Sequence, residues 1–114
     1  MELESYELVM LRRPAEPTEY DEAELGRIQA EHLAFHDRLR EEGLVVTNGP
    51  VLGPPDPSLR GLTFYRVGSL EEARRLAEQD PAVLAGRLVV DVMGWLCPAG
   101  TMTRPGQPFV RPSD

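Results

Sequence analysis

GLTFYRVGSLEEARRLAEQDPAVLAGRLVVDVMGWLC, Gly61 to Cys97, carries the reading that decides the fold. Its first part, Gly61–Val67, is rich in β-branched and aromatic residues and predicts a strand. Ser69 followed by Glu72 is a capping box, so a helix starts there and runs to about Gln79. Leu70, Ala73, Leu76 and Ala77 fall on one face of it. Asp80-Pro81 interrupts the helix and can restart one: Asp as cap, Pro at the first helical position, and a short turn over Pro81–Ala85. Arg87–Cys97 then predicts another strand.

The N-terminal half repeats the plan. Ser5–Arg13 reads as a strand, and Pro14–Glu24 as a proline-punctuated loop. A helix begins near Tyr20–Glu22, acidic in its first turn, and runs to Glu42, with Gly43 as its C-terminal cap. Leu44–Gly53 reads as a strand interrupted by Asn48-Gly49-Pro50, and Pro54–Arg60 as a loop. The order is β-α-β-β-α-β, the ferredoxin-like α+β arrangement: a four-stranded antiparallel sheet with two helices on one face. At 114 residues the chain fits one domain. Residues 1–98 are read as that domain and 99–114 as a Pro-rich tail.

Two strands are apolar on both alternating sets: Tyr6, Leu8, Met10 against Val9, Leu11, and Leu88, Val90, Val92 against Val89, Met93. Two helices cover one face only, and a half-solvated sheet should alternate apolar with polar residues. The second face therefore calls for a partner, most simply a second copy packed face to face as a homodimer.

The formal net charge is −7 and every cation is an arginine. An acidic chain without a basic run argues against nucleic-acid binding and against an anionic membrane surface. Cys97 is the only cysteine, so no internal disulfide forms. The acidic start MELESYELVML is the reverse of a signal peptide, and no apolar stretch reaches membrane-spanning length. These features predict a cytoplasmic protein. No G-x-G-x-x-G, P-loop or nucleophile elbow is present, so nucleotide chemistry and a cofactor have no support in the sequence.

The only histidines, His32 and His36, stand one helical turn apart in EHLAFHDRLREEG, Glu31–Gly43. On a helical wheel Leu25, Ile28, His32, Phe35 and Leu39 form a stripe roughly 80° wide. His32 lies near its middle and His36 at its edge. Three readings of His32 stand side by side: a core histidine satisfied by a carbonyl or water, half of a metal pair, or an acid–base group. The metal reading lacks the glutamate of H-E-x-x-H and further Cys–His ligands, so no metal is expected. The acid–base reading needs a partner, and Asp80, at the end of the second helix, is the candidate. As a helix cap, however, Asp80 has a structural explanation of its own.

The segment H-L-x-x-x-x-x-L-x-x-x-G (His32–Gly43), with Gly49-Pro50 after it, resembles the YciI-like family. So does Ser69–Trp95, with its S-x-E-E-A and D-P-x-x-x-A-G patterns. The resemblance covers roughly Tyr6 to Trp95. It implies a dimeric α+β barrel and an active site made of a histidine on the first helix and the aspartate of the D-P motif, here His32 and Asp80. The family is similar in fold to muconolactone isomerases and small cofactor-free monooxygenases, and one branch eliminates chloride from a chlorinated hydroxyhydroquinone. The pattern assigns His36 nothing.

With that resemblance, the expected function is a cofactor-independent enzyme. His32 is the general acid/base, Asp80 orients it, and the reaction is elimination or isomerisation of a small cyclic or aromatic molecule. Asn48, Gly49, Pro50 and Tyr6 are the expected pocket residues. Asn-Gly-Pro reads equally well as a bend or bulge, and Tyr6 and Tyr65 as packing residues. Trp95 reads as core or dimer interface, and Cys97 as packing rather than nucleophile. Arg12-Arg13 suits an anion chemically but reads first as an exposed strand end. The alternatives are a non-catalytic module binding a small ligand or a protein through the same cleft, and an oxygenase of the related barrel type.

Overall fold

A computed structural model describes residues 2–102 of the protein. The elements run β1 (Leu3–Arg12), α1 (Glu22–Glu41), β2 (Val45–Pro50), β3 (Leu59–Tyr65), α2 (Leu70–Ala77), α3 (Pro81–Leu84) and β4 (Val89–Pro98). The strands form one antiparallel sheet in the order β2-β3-β1-β4. This is the expected α+β arrangement, with the Pro81 turn formed as the short α3. The expected tail falls mainly on 103–114, outside the described residues. Among the described residues no helix is long and apolar enough to cross a membrane.

Capping residues set the helix starts as the sequence requires. Asp21 accepts the N–H of Glu24, and Ser69 that of Glu72. Gly43, at φ 78°, turns the chain out of α1 where an L side chain would be strained. The core lies between the helices and one sheet face, built from Val9, Leu11, Phe35, Leu39, Val45, Tyr65, Ala73, Ala77 and Val90. Burying such side chains, each on the order of 1.5–3 kcal/mol for the larger aliphatic and aromatic ones, holds the layers together.

Strand boundaries differ from the expectation in two places. Asn48-Gly49-Pro50 does not interrupt β2. Asn48 pairs with Thr63, Gly49 with Leu62 and Pro50 with Gly61, and the irregularity falls earlier, between Val45 and Thr47. β2 is an edge strand, where a proline without an N–H is tolerated. β3 begins at Leu59, inside the expected loop, because Leu59 already pairs with Arg12.

The opposite sheet face carries Leu8, Met10, Leu62, Phe64, Met93 and Trp95, and among the described residues no helix packs on it. Trp95 lies edge-on to Phe64 at 5.1 Å and tilted against Tyr6 at 6.2 Å. Tyr6 is buried on this face. Its hydroxyl donates to Glu4 at 2.6 Å, and its pKa is pushed up to about 12, by burial first and then by that carboxylate.

The proline-rich segment before α1 is clamped to the turn before β4. Thr18 N–H donates to the Gly86 carbonyl, Arg87 Nη1 to the Thr18 carbonyl, and the Tyr20 hydroxyl to the Ala85 carbonyl. Gly86 sits at φ 75°, and a Cβ there would collide with Thr18 Oγ1. Gly86→Ala is therefore expected to destabilise the fold by about 1–3 kcal/mol, through left-handed backbone and steric contact together. Urea denaturation checks this: an unchanged midpoint would show that the clamp contributes nothing.

Candidate active site

α1 and α3 bring three titratable side chains together. His32 Nδ1 lies 2.7 Å from Asp80 Oδ2, and His36 Nε2 lies 3.2 Å from the same oxygen. The other carboxylate oxygen, Oδ1, accepts the Ala82 N–H at 2.9 Å. Capping and histidine contact, which compete as explanations in the sequence, are thus divided between the two oxygens of one residue. Asp80 is 1% exposed and His36 2%.

Burial pushes the Asp80 carboxyl up in pKa. The hydrogen bonds from His32 and His36, the nearby His32 charge and the Ala82 N–H outweigh it and hold the group at about 2. Asp80 is therefore a carboxylate at neutral pH, an acceptor only, and each facing imidazole nitrogen carries the proton. His32 is consequently the Nδ1–H tautomer when neutral, with its Nε2 lone pair free. Among the described residues nothing hydrogen-bonds that Nε2. The ring borders a cavity of about 560 Å³ between the first half of α1 and one end of the sheet.

The wheel places His36 at the edge of the buried stripe, but the structure buries it more deeply than His32. Its ring lies edge-on to His32 at 4.7 Å and to Phe35 at 5.4 Å. Among the described residues its Nδ1 is buried with no hydrogen-bond partner, as are Thr63 Oγ1 and the Tyr65 hydroxyl. Burial first, and the Asp80 charge second, push the Tyr65 hydroxyl up in pKa, so it remains a neutral O–H.

The donor atoms of His32, His36 and Asp80 lie within 4.8 Å of one another, a two-histidine, one-carboxylate set that could hold a transition metal. Doing so would require both facing nitrogens to present lone pairs, in place of the N–H groups that Asp80 now accepts.

Of the other expected pocket residues, Asn48, Gly49 and Pro50 line the cavity. Asn48 also accepts a hydrogen bond from Arg40, which in turn pairs with Asp37. Tyr6 is not among them, because strand alternation turns it to the other sheet face. Arg12 is tied to Asp56 at 2.7 Å and Asp91 at 2.6 Å, whereas Arg13 lines the cavity. Gln29, Arg60 and Arg87 also border it, and no sequence motif singles them out. The available signal is register: Arg12 pairs with both Leu59 and Val89, so the residues around those positions meet at one sheet end.

The family model for the YCII-related domain matches residues 8–96, and the chain belongs to that family. Two solved structures share the fold. One is 5-chloro-2-hydroxyhydroquinone dehydrochlorinase from Burkholderia phenoliruptrix AC1100, in complex with 2,5-dihydroxybenzoquinone. It is 22% identical with a TM-score of 0.54, over 79% of this chain and 92% of that one. The other is muconolactone isomerase, 19% identical with a TM-score of 0.61, over 84% of this chain and 92% of that one. The fold is that of the dimeric α+β barrels. No curated protein matches the chain.

Asp80 links this site to stability. Its pKa is about 2 in the folded chain against 3.8 as the ordinary value, so the unfolded state binds more protons between those limits. The stabilisation is present above about pH 4 and lost as pH falls through about 2, a change on the order of 2 kcal/mol. In Asp80→Asn that part of the acid limb should vanish, with a loss of about 2–4 kcal/mol at pH 7 from the broken buried contacts. Denaturation measured at several pH values tests both. Parallel limbs in wild type and variant would show that Asp80 is not the linked group.

Proposed function

We propose that the protein is an enzyme that moves a proton on a small cyclic or aromatic substrate, with His32 as general acid/base and Asp80 as its orienting partner. One observation carries this reading: His32 is held through Nδ1 by a buried, ionised carboxylate, its Nε2 has no hydrogen-bond partner among the described residues, and the residue lines a cavity of about 560 Å³. A cavity of this size suits a single-ring molecule. His32 Nε2 takes a proton from the substrate, and Asp80 stabilises the imidazolium that forms. Returning that proton to a different carbon completes an isomerisation. Departure of a leaving group with the electron pair, then loss of the proton to water, completes an elimination. The activities named for the two structural neighbours, a dehydrochlorination and a lactone isomerisation, are of these two types.

The test screens chlorinated hydroxyhydroquinones for chloride release and unsaturated lactones for deuterium uptake from D₂O. His32→Gln should lower the rate by at least about 100-fold, and nitrogen NMR should show the Nδ1–H tautomer of His32 in the wild type but not in Asp80→Asn. Unchanged turnover in His32→Gln would refute the acid–base role. Ligand binding without turnover across both substrate classes would favour a binding module.

The functional unit we propose is a homodimer packed through Leu8, Met10, Leu62, Phe64, Met93 and Trp95. Such an apolar sheet face with no helix over it is the kind of patch that marks an interface. Light scattering should give twice the chain mass at micromolar concentration, and Leu8→Arg with Phe64→Arg should give the monomer. A monomeric wild type would refute the interface.

A further inference from the structure

The cavity beside His32 has a charge opposite to that of the chain. Arg13, Arg60 and Arg87 line it, and among the described residues no carboxylate does. The chain as a whole has 19 acidic residues against 12 basic ones. Arginines elsewhere in the described residues are occupied. Arg12, Arg27, Arg38, Arg40 and Arg75 pair with carboxylates, Arg74 reaches the Val90 carbonyl, and Arg66 lies over the Tyr6 ring. Of the described arginines, only Arg13 and Arg60 have side chains with no hydrogen bond, ion pair or ring contact, and both border the cavity. Arg87 spends one N–H on the Thr18 carbonyl, which anchors it at the rim and leaves the rest of its guanidinium available.

An acidic chain readily neutralises its surface arginines, as it does with the other five. Holding Arg13, Arg60 and Arg87 around one cavity, from three different strand ends, concentrates positive charge where low-dielectric walls strengthen it. Guanidinium groups match carboxylates bidentately. The remaining lining is mostly apolar, with Leu11, Leu25, Ile28 and Leu88, which suits the body of a ring rather than a second polar group.

We infer that the substrate of this site is an organic carboxylate, its apolar ring against the leucines and Ile28 and its carboxylate held by Arg13, Arg60 and Arg87. The chemistry after binding rests on the acid–base reading, but the binding itself does not. Holding the anion by its carboxylate leaves the ring free to present a carbon to His32.

Calorimetric titration of the full chain tests it with single-ring probes: benzoate, cyclohexenecarboxylate, their neutral amides, and phenyl phosphate. The carboxylates should bind, and more weakly as salt is added. The amides should bind at least about tenfold less tightly. Arg13→Gln and Arg60→Gln should each weaken carboxylate binding by about tenfold while leaving the amides unaffected. Equal affinity for acid and amide, no binding of either carboxylate, or unchanged affinity in the double arginine variant would overturn the inference. Phenyl phosphate binding more tightly than both carboxylates would also overturn it, in favour of a phosphate ester. The two readings fail separately. Turnover that survives His32→Gln removes the acid–base role and leaves the anion site standing. Arginine variants without effect, beside a His32→Gln variant that has lost turnover, remove the anion site alone.

Discussion

The arrangement depends on one buried carboxylate whose two oxygens do different work. Asp80 Oδ1 closes the first turn of α3, and Oδ2 receives an imidazole N–H from each of two successive turns of α1. A buried anion is costly unless hydrogen bonds and positive charge surround it. Here three donors converge on it, and the net effect favours the ionised form. The same contacts fix the distance between α1 and the D-P turn. They also decide the tautomer of His32, so position and chemistry come from one group.

His36 completes this arrangement from the inside. It shares Oδ2 with His32 yet is shut off from solvent, whereas His32 borders the cavity. Two histidines on one helix thus have different availability because the helix faces a packed core at one turn and a cavity at the other. The cavity lies between the sheet end, the turn at Arg87 and the first half of α1. Small residues such as Gly49, Gly61 and Ala82 border it and leave it room.

Most of the fold is legible in the sequence because its signals are local. The capping box at Ser69, the Asp80-Pro81 restart and the glycine after α1 each announce an element boundary within a few residues. The exceptions arise where pairing overrides local chemistry: Pro50 reads as a break, but an edge strand tolerates it. His32 and Asp80 can be named because each lies in a short motif. The contact of His36 with Asp80 cannot, since the wheel gives direction but no distance across to α3. The arginine rim is equally hidden. Arg13, Arg60 and Arg87 are far apart in the chain and meet only through antiparallel register. The face that Tyr6 takes is hidden as well, because a tyrosine in a strand does not declare it.

The sheet order carries a consequence for how the molecule is made. β1, synthesised ahead of β2, β3 and β4, is central and is flanked by β3 and β4, and Leu3 pairs with Pro98. Neither half of the chain can complete its own sheet, so the N-terminal strand waits, apolar on both faces, until nearly the whole domain has emerged. Such long-range pairing is slow relative to local helix formation. During translation α1 and α2 therefore have the opportunity to form well before the strand that carries Trp95 closes the sheet, and the nascent chain is most exposed to aggregation in the interval between them.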